Sequence, residues 1–163
     1  MDVRSYIRCR EMARYGKSTV GFVKAVNAWT RETEERSTEA FQDAVKDLYD
    51  ETFKNTPYDT GALRNSLIVY KDGQAGPNEV TGPDGGHSGA AVSYMNADSL
   101  QLGDRAKFAY GRTYWRRLEH GFVGVDSLGR FYNQAGRFFL QYSMSKWRSI
   151  VRAAATRHKM RMK

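Results

Sequence analysis

The chain has 163 residues, of which 40% are hydrophobic and 13% aromatic, and a net charge of +8. That length suits one domain with a substantial core, and that apolar share excludes a disordered chain. No apolar run approaches the ~20 residues that span a bilayer. With Cys9 as the sole cysteine, an internal disulfide and a zinc site built from several thiolates are excluded as well.

In chain order, residues 1–17 carry a weak helical pattern (Val3, Tyr6, Ile7, Arg10, Arg14) and read as a basic N-terminal arm. No apolar stretch follows Met1 to Tyr6, so a secretory leader is not expected, and the chain suits a reducing cytoplasm. From Ser18 the apolar spacing tightens. Phe22, Val26 and Trp29, then Phe41, Val45, Leu48, Tyr49 and Phe53, recur at helical intervals. Residues 18–55 are therefore one long helix, or two broken near 36–38 where Ser37 or Thr38 could cap. Its acids Asp43, Asp47, Asp50 and Glu51 are expected on the wet face. Leu67–Lys71 suits a strand. Residues 72–89, with six glycines and two prolines, read as a mobile loop. Ala90–Met95 alternates enough for a second strand, and 96–104 is a further loop. Tyr110, Tyr114 and Leu118 lie one helical turn apart, which predicts a short helix over 110–120. Phe122–Val125 and Arg130–Tyr132 flank a turn at Asp126–Gly129 and predict a hairpin. Leu140, Met144, Trp147, Val151 and Ala154 form the inward stripe of a terminal helix. The last turns, from Thr156 on, are expected to project. The sum is an α+β fold: a long N-terminal helix, a small, mostly antiparallel sheet, and a C-terminal helix packed on the sheet. One domain over 18–155 then lies between the basic arm and a basic tail at 156–163.

Charge is segregated along this order. Residues 137–163 hold eight Lys or Arg and no acid, whereas residues 28–60 hold nine acids against four bases. Basic ends around an acidic middle point to nucleic acid, an anionic surface or an acidic protein face as partner.

The most specific wording is at the corner between the long helix and the first strand, Thr-Pro-Tyr-Asp-Thr-Gly-Ala-Leu-Arg-Asn-Ser-Leu over 56–67. Pro57 pushes Thr56 off helical angles and ends the helix near Asn55. Asp59 or Thr60 can accept local backbone amides, Gly61 tolerates positive φ, and Leu63 points inward. Pro-x-Asp-Thr-Gly-x-Leu-Arg-x-Ser resembles the motif of the tail-completion, or neck, proteins of long-tailed bacteriophages. Tyr114-Trp115-Arg116-Arg117-Leu118-Glu119-His120-Gly121 is similar to that family's second block, an aromatic followed by Glu-x-Gly. Gly136-Arg137-Phe138-Phe139-Leu140 is similar to a third, which opens a terminal helix. With the connecting pattern the resemblance spans roughly 20–155; the Gly/Asp-rich stretch 72–104 and the basic ends depart from it.

The resemblance implies a structural virion protein without cofactor or metal. Such a protein assembles in the host cytoplasm into a homo-oligomeric, hexameric ring at the neck or top of the tail. Its partners would be the head connector, the tail tube or tail terminator, and the genomic DNA in the channel, with no membrane. Pro57, Asp59, Thr60, Gly61, Leu63 and Arg64 would shape the corner, and Tyr114, Glu119 and Gly121 the second landmark. Two rivals are a tail-terminator ring capping the tube and a basic nucleic-acid-binding module; against the latter, no base-reading motif is evident.

The residues themselves favour assembly over chemistry. Trp115, Arg116 and Arg117 present large groups on every side of a short helix, as interface anchors do. Arg148, Arg152, Arg157, Lys159, Arg161 and Lys163 are candidates for facing DNA or a neighbouring ring. His87, His120 and His158 show no metal-ligand spacing. Glu119 and His120 are adjacent, so on a helix they do not face each other. Asp59-Thr60-Gly61 has the wording of an aspartic-protease triplet, but that chemistry needs two carboxylates sharing a proton, and one such triplet exists here. No enzyme is expected.

Overall fold

The computed structural model describes residues 19–77 and 89–158. The arm at 1–17, His87, Lys159, Arg161 and Lys163 lie outside the described residues. The elements are α1 (Thr19–Asn55), α2 (Ala62–Asn65), β1 (Leu67–Lys71), α3 (Ala90–Asp98), β2 (Ala106–Tyr110), α4 (Trp115–His120), β3 (Gly121–Val125), β4 (Phe131–Ala135), α5 (Phe139–Ser145) and α6 (Trp147–Arg157). The architecture is α+β, with a long first helix and helices at the C-terminal end.

α1 runs unbroken for 37 residues. The suspected break does not occur because Ser37 and Thr33 turn their hydroxyls back onto the carbonyls four residues earlier, at 2.7 and 2.8 Å, instead of capping a new helix. Its buried residues all fall between Ala40 and Thr52. Val45 and Tyr49 there join Leu63, Leu67, Val69, Ala97, Leu100, Tyr110 and Phe139 in one core.

The strands form two separate two-stranded antiparallel ribbons, β1–β2 and β3–β4. In the first, Leu67 lies opposite Tyr110 and Val69 opposite Phe108. The second strand is β2, not the expected Ala90–Met95. That segment is instead helical and packs along the open edge of β1. The Val69 amide donates to Ser93 Oγ at 3.0 Å, and Asn96 Nδ2 donates to the Val69 carbonyl at 2.7 Å. Two helix side chains thus satisfy an edge that another strand would have taken. The approach is close enough that a Cβ on Gly89 would lie 2.3 Å from the Leu67 carbonyl oxygen. The second ribbon is the expected hairpin around Asp126–Gly129, with Val125 opposite Phe131.

The C-terminal helix is two segments that meet at Lys146, and their principal partner is α1. The acids expected on a wet face are the reason. Lys146 pairs with Glu51, Arg157 Nη2 lies 2.6 Å from Asp47 Oδ2, and His158 Nε2 lies 2.9 Å from Asp43 Oδ2. Glu51, Asp47 and Asp43 recur one turn apart on α1, so α5 and α6 are clasped along it by a ladder of ion pairs ending in the His158 hydrogen bond. Thr156 to His158 are therefore held to α1 and do not project, and any tail begins beyond His158.

Candidate interaction groove

The corner is built around the C-terminus of α1. Thr56, almost fully buried, donates its hydroxyl to the Thr52 carbonyl at 2.7 Å and accepts from the Tyr110 hydroxyl at 2.6 Å. Burial holds the Tyr110 hydroxyl well above its ordinary pKa, so it stays a neutral donor. Gly61 takes φ +85°, the left-handed region, and a Cβ there would press to 3.1 Å on the Tyr58 ring. The Thr60 hydroxyl accepts weakly from the Ala62 amide at 3.4 Å, and Leu63 is buried. Arg64 reaches back under the corner. Its Nη2 donates to the Thr56 carbonyl at 2.8 Å and, longer, to the Lys54 carbonyl at 3.4 Å. Its guanidinium lies 5.3 and 5.2 Å from the Phe53 and Tyr58 ring centroids. A planar cation thus caps the helix and is held between two rings. Asp59 is exposed and has no hydrogen-bond partner among the described residues, so it does not brace the turn.

The second landmark is a helix cap. Glu119 is 2% exposed, and its two carboxylate oxygens accept from the Leu140 and Gln141 amides, both at 2.9 Å. The first turn of α5 thereby has its free N–H groups served by a charge of the favourable sign. Close backbone packing delivers that carboxylate. A Cβ on Gly121 would come within 2.6 Å of the Gln134 carbonyl oxygen, and one on Gly136 within 2.6 Å of the Glu119 carbonyl oxygen. Phe138 is held in the left-handed region at φ 49°, its amide donating to the Glu119 carbonyl at 3.1 Å. The Glu-x-Gly ending and the Gly-Arg-Phe-Phe block are therefore two halves of one joint, which spacing alone had not revealed.

The three sequence blocks meet in space. Pro57–Leu63, Tyr114, Leu118 and Arg137 line one open groove of about 500 Å³. Leu63 and Leu118 lie at its base, exposed Tyr58 and Tyr114 stand at its rim, and Asp59 and Arg137 bring opposite charges to it. Trp115 turns away from that rim. It packs against the core, its ring 5.8 Å from that of Tyr110, while Arg116 lies over it and Arg117 over Phe122. Of the basic candidates, Arg148 and Arg152 stand exposed one turn apart on α6, and Arg157 is engaged by Asp47. Buried Arg112, just after β2, carried no signal in the sequence, because nothing in its neighbours marks it from the exposed arginines that follow.

As chemistry the groove offers little. Glu119 has both oxygens on helix amides, whereas His120 is exposed. Among the described residues no cluster of His, Cys, Asp or Glu could hold a metal, and no helix is long and apolar enough to cross a membrane. An open groove with aromatic rims suits a protein neighbour.

Residues 21–121 match the family model of HK97-gp10-like proteins, described as "Bacteriophage HK97-gp10, putative tail-component". The chain belongs to the HK97-gp10-like family. The matched span runs from α1 to the glycine that closes the second landmark, and so contains both walls of the groove except Arg137. Membership makes this chain a bacteriophage tail component, a virion protein whose neighbours are other virion proteins. The β3–β4 hairpin after Gly121, and the helices α5 and α6, lie beyond the matched residues. Among curated proteins and among solved structures, nothing matches the chain.

Proposed function

We propose that this HK97-gp10-like protein completes the tail at the phage neck, as a homo-oligomeric ring that joins the tail to the head connector around the DNA channel. The observation that carries the reading is the convergence of the family's sequence blocks on one groove rimmed by Tyr58 and Tyr114. Most residues of the blocks serve the fold, as Thr56, Gly61, Arg64, Glu119 and Gly121 do. Tyr58, Asp59 and Tyr114 also keep exposed surface on the groove, and that surface receives a neighbouring virion protein. The exposed Arg148 and Arg152 of α6, with the basic residues beyond it, face either the phosphates of passing DNA or the acidic rim of an adjacent ring. Enzymatic activity has no part in this reading, since the one buried carboxylate of the second block is a helix cap. The test is mass photometry and negative-stain imaging of the purified chain, alone and with tail tubes. A ring, or a stump of added density on the tube end, is expected. A chain that stays monomeric and leaves tubes and connectors bare refutes the proposal.

A further inference from the structure

Two parts of the molecule have apolar faces that nothing among the described residues covers. The first is the N-terminal half of α1. Residues 19–39 run for about 30 Å at helical rise before the first buried residue, Ala40. Phe22 (62% exposed), Val23, Val26 and Trp29 (58%) lie in solvent along this overhang, with Val20 nearby. At 100° per residue, Phe22, Val23 and Val26 fall on the face that further along holds Ala40, Ala44 and Leu48. The core-facing stripe thus continues past the core. The second part is the β3–β4 hairpin. Val123 and Val125 alternate onto one side of it, Phe131 lies across from Val125 on the same side, and Leu128 caps the turn, all exposed. Neither element is built to stand alone. A bare helical overhang and a lone two-stranded ribbon are both marginal in water.

We infer that these faces cover each other between copies of this chain, the α1 overhang of one protomer lying on the β3–β4 hairpin of the next. Ring geometry gives the pairing its direction, since a patch that meets its own copy is isologous and closes at a dimer. Most of the α1 acids nearer the body are committed within the chain: Glu51, Asp47, Asp43 and Glu39 to the clasp, and Asp50 to Tyr94. Glu34, beside the overhanging stripe, and Glu35, on the opposite face, have no ion-pair partner among the described residues, and Lys24 and Arg31 balance their charge along the overhang. The hairpin's root carries exposed Arg116, Arg117 and Arg137. Glu34, next to the overhanging stripe, offers these arginines an acidic partner. Size agrees. Each patch offers on the order of 400 Å² of apolar surface. Two together give roughly the apolar share, about 57%, of a standard interface of some 1,200–2,000 Å². A contact between two different patches is head-to-tail, and repeated around an axis it closes a ring. The inference rests on the ring reading above and supplies the surface through which that ring is made.

The test uses the full chain. Phe22→Glu with Trp29→Glu breaks the overhang, and Val125→Glu with Phe131→Glu breaks the hairpin. Since all four side chains are exposed, circular dichroism and melting should stay close to wild type. By mass photometry each double variant is expected to be monomeric where the wild type is a ring. An equimolar mixture of the two should form a one-to-one pair and nothing larger, because one intact overhang then meets one intact hairpin. Cross-linking reads the same contact without charge insertion. In a Cys9→Ser background, Val26→Cys and Val125→Cys chains should cross-link to each other when mixed, and neither to itself. Variants that assemble like wild type, or a mixture that gives neither pair nor cross-link, overturn this interface and leave the ring reading standing. A wild type that is monomeric alone and on tail tubes removes the ring reading and this inference with it.

Discussion

Replacing Glu119 with Gln should test how much of the C-terminal half hangs on one buried carboxylate. Its two oxygens serve two backbone amides at 2.9 Å, in a position 2% exposed. Gln matches Glu in shape but keeps one acceptor oxygen. The other position becomes an NH₂ that faces an amide N–H, donor against donor. Losing a hydrogen bond to a charged group and leaving a buried amide unserved should cost about 2–3 kcal/mol. For a domain of this size that lowers Tm by ~5–10 °C, since 1 kcal/mol is worth ~2–4 °C. Glu119→Ala leaves both amides bare and should cost more, ~3–5 kcal/mol. Thermal melts give the magnitude, and amide hydrogen exchange gives the location, with Leu140 and Gln141 exchanging faster in the Gln variant. A Gln variant that melts within about 1 °C of wild type, with those two amides equally protected, would refute the cap as a determinant of stability.

Gly61→Val places a β-branched residue at φ +85° against the Tyr58 ring and should cost about 1–3 kcal/mol, read from urea midpoints; an unchanged midpoint would mean that the corner relaxes freely. Asp126 accepts from the Arg130 amide and guanidinium and from the Leu128 amide, and these hold its carboxyl at about 2, below the ordinary 3.8. Because the folded value is depressed, the turn's stabilisation is complete above 3.8 and is lost as pH falls through about 2. Carboxyl titration by NMR should place the midpoint in that lower range, and a midpoint near the ordinary value would refute the turn geometry. Arg148→Gln with Arg152→Gln should leave the melting temperature unchanged and flatten the salt dependence of DNA binding by ~0.9 per phosphate contact removed; an unaltered slope assigns the pair to a protein neighbour.

Periodicity was most legible where one element carries its own apolar stripe. α1 and the hairpin turn follow from spacing, whereas of the stripe expected on α5–α6 only Ala154 is buried, with Leu140, Met144, Trp147 and Val151 half-buried and Phe139, Ser143 and Ala155 taking the inward places. Ala90–Met95 was not legible. Its short alternation fits a strand, and what makes it a helix is a partner elsewhere, the bare edge of β1, which takes Ser93 and Asn96 as surrogate backbone. β2 was missed for the complementary reason: Tyr110 shares a helical spacing with Tyr114 and Leu118 but is the end of a strand, fixed by pairing with Leu67. At the corner, turn chemistry identified Gly61 but overrated Asp59, which has no hydrogen-bond partner among the described residues, and could not see Arg64 reaching back to the helix end. The ion-pair ladder was equally hidden, since a row of acids on a helix looks the same whether water or a distant basic helix faces it.

That ladder also bears on how the chain comes to be made. Its rungs join Asp43, Asp47 and Glu51 to residues 146–158, about a hundred positions later in synthesis. Until that stretch has left the ribosome, α1 carries like charges stacked one turn apart, a repulsive arrangement on a nascent helix. A chain stopped before Lys146 therefore has its α1 core contacts to Leu63, Leu67, Val69, Leu100 and Tyr110 but no native counter-charge for this row. The ladder forms only once residues 146–158 are available, and it ties the last turns of α6 back to the first helix.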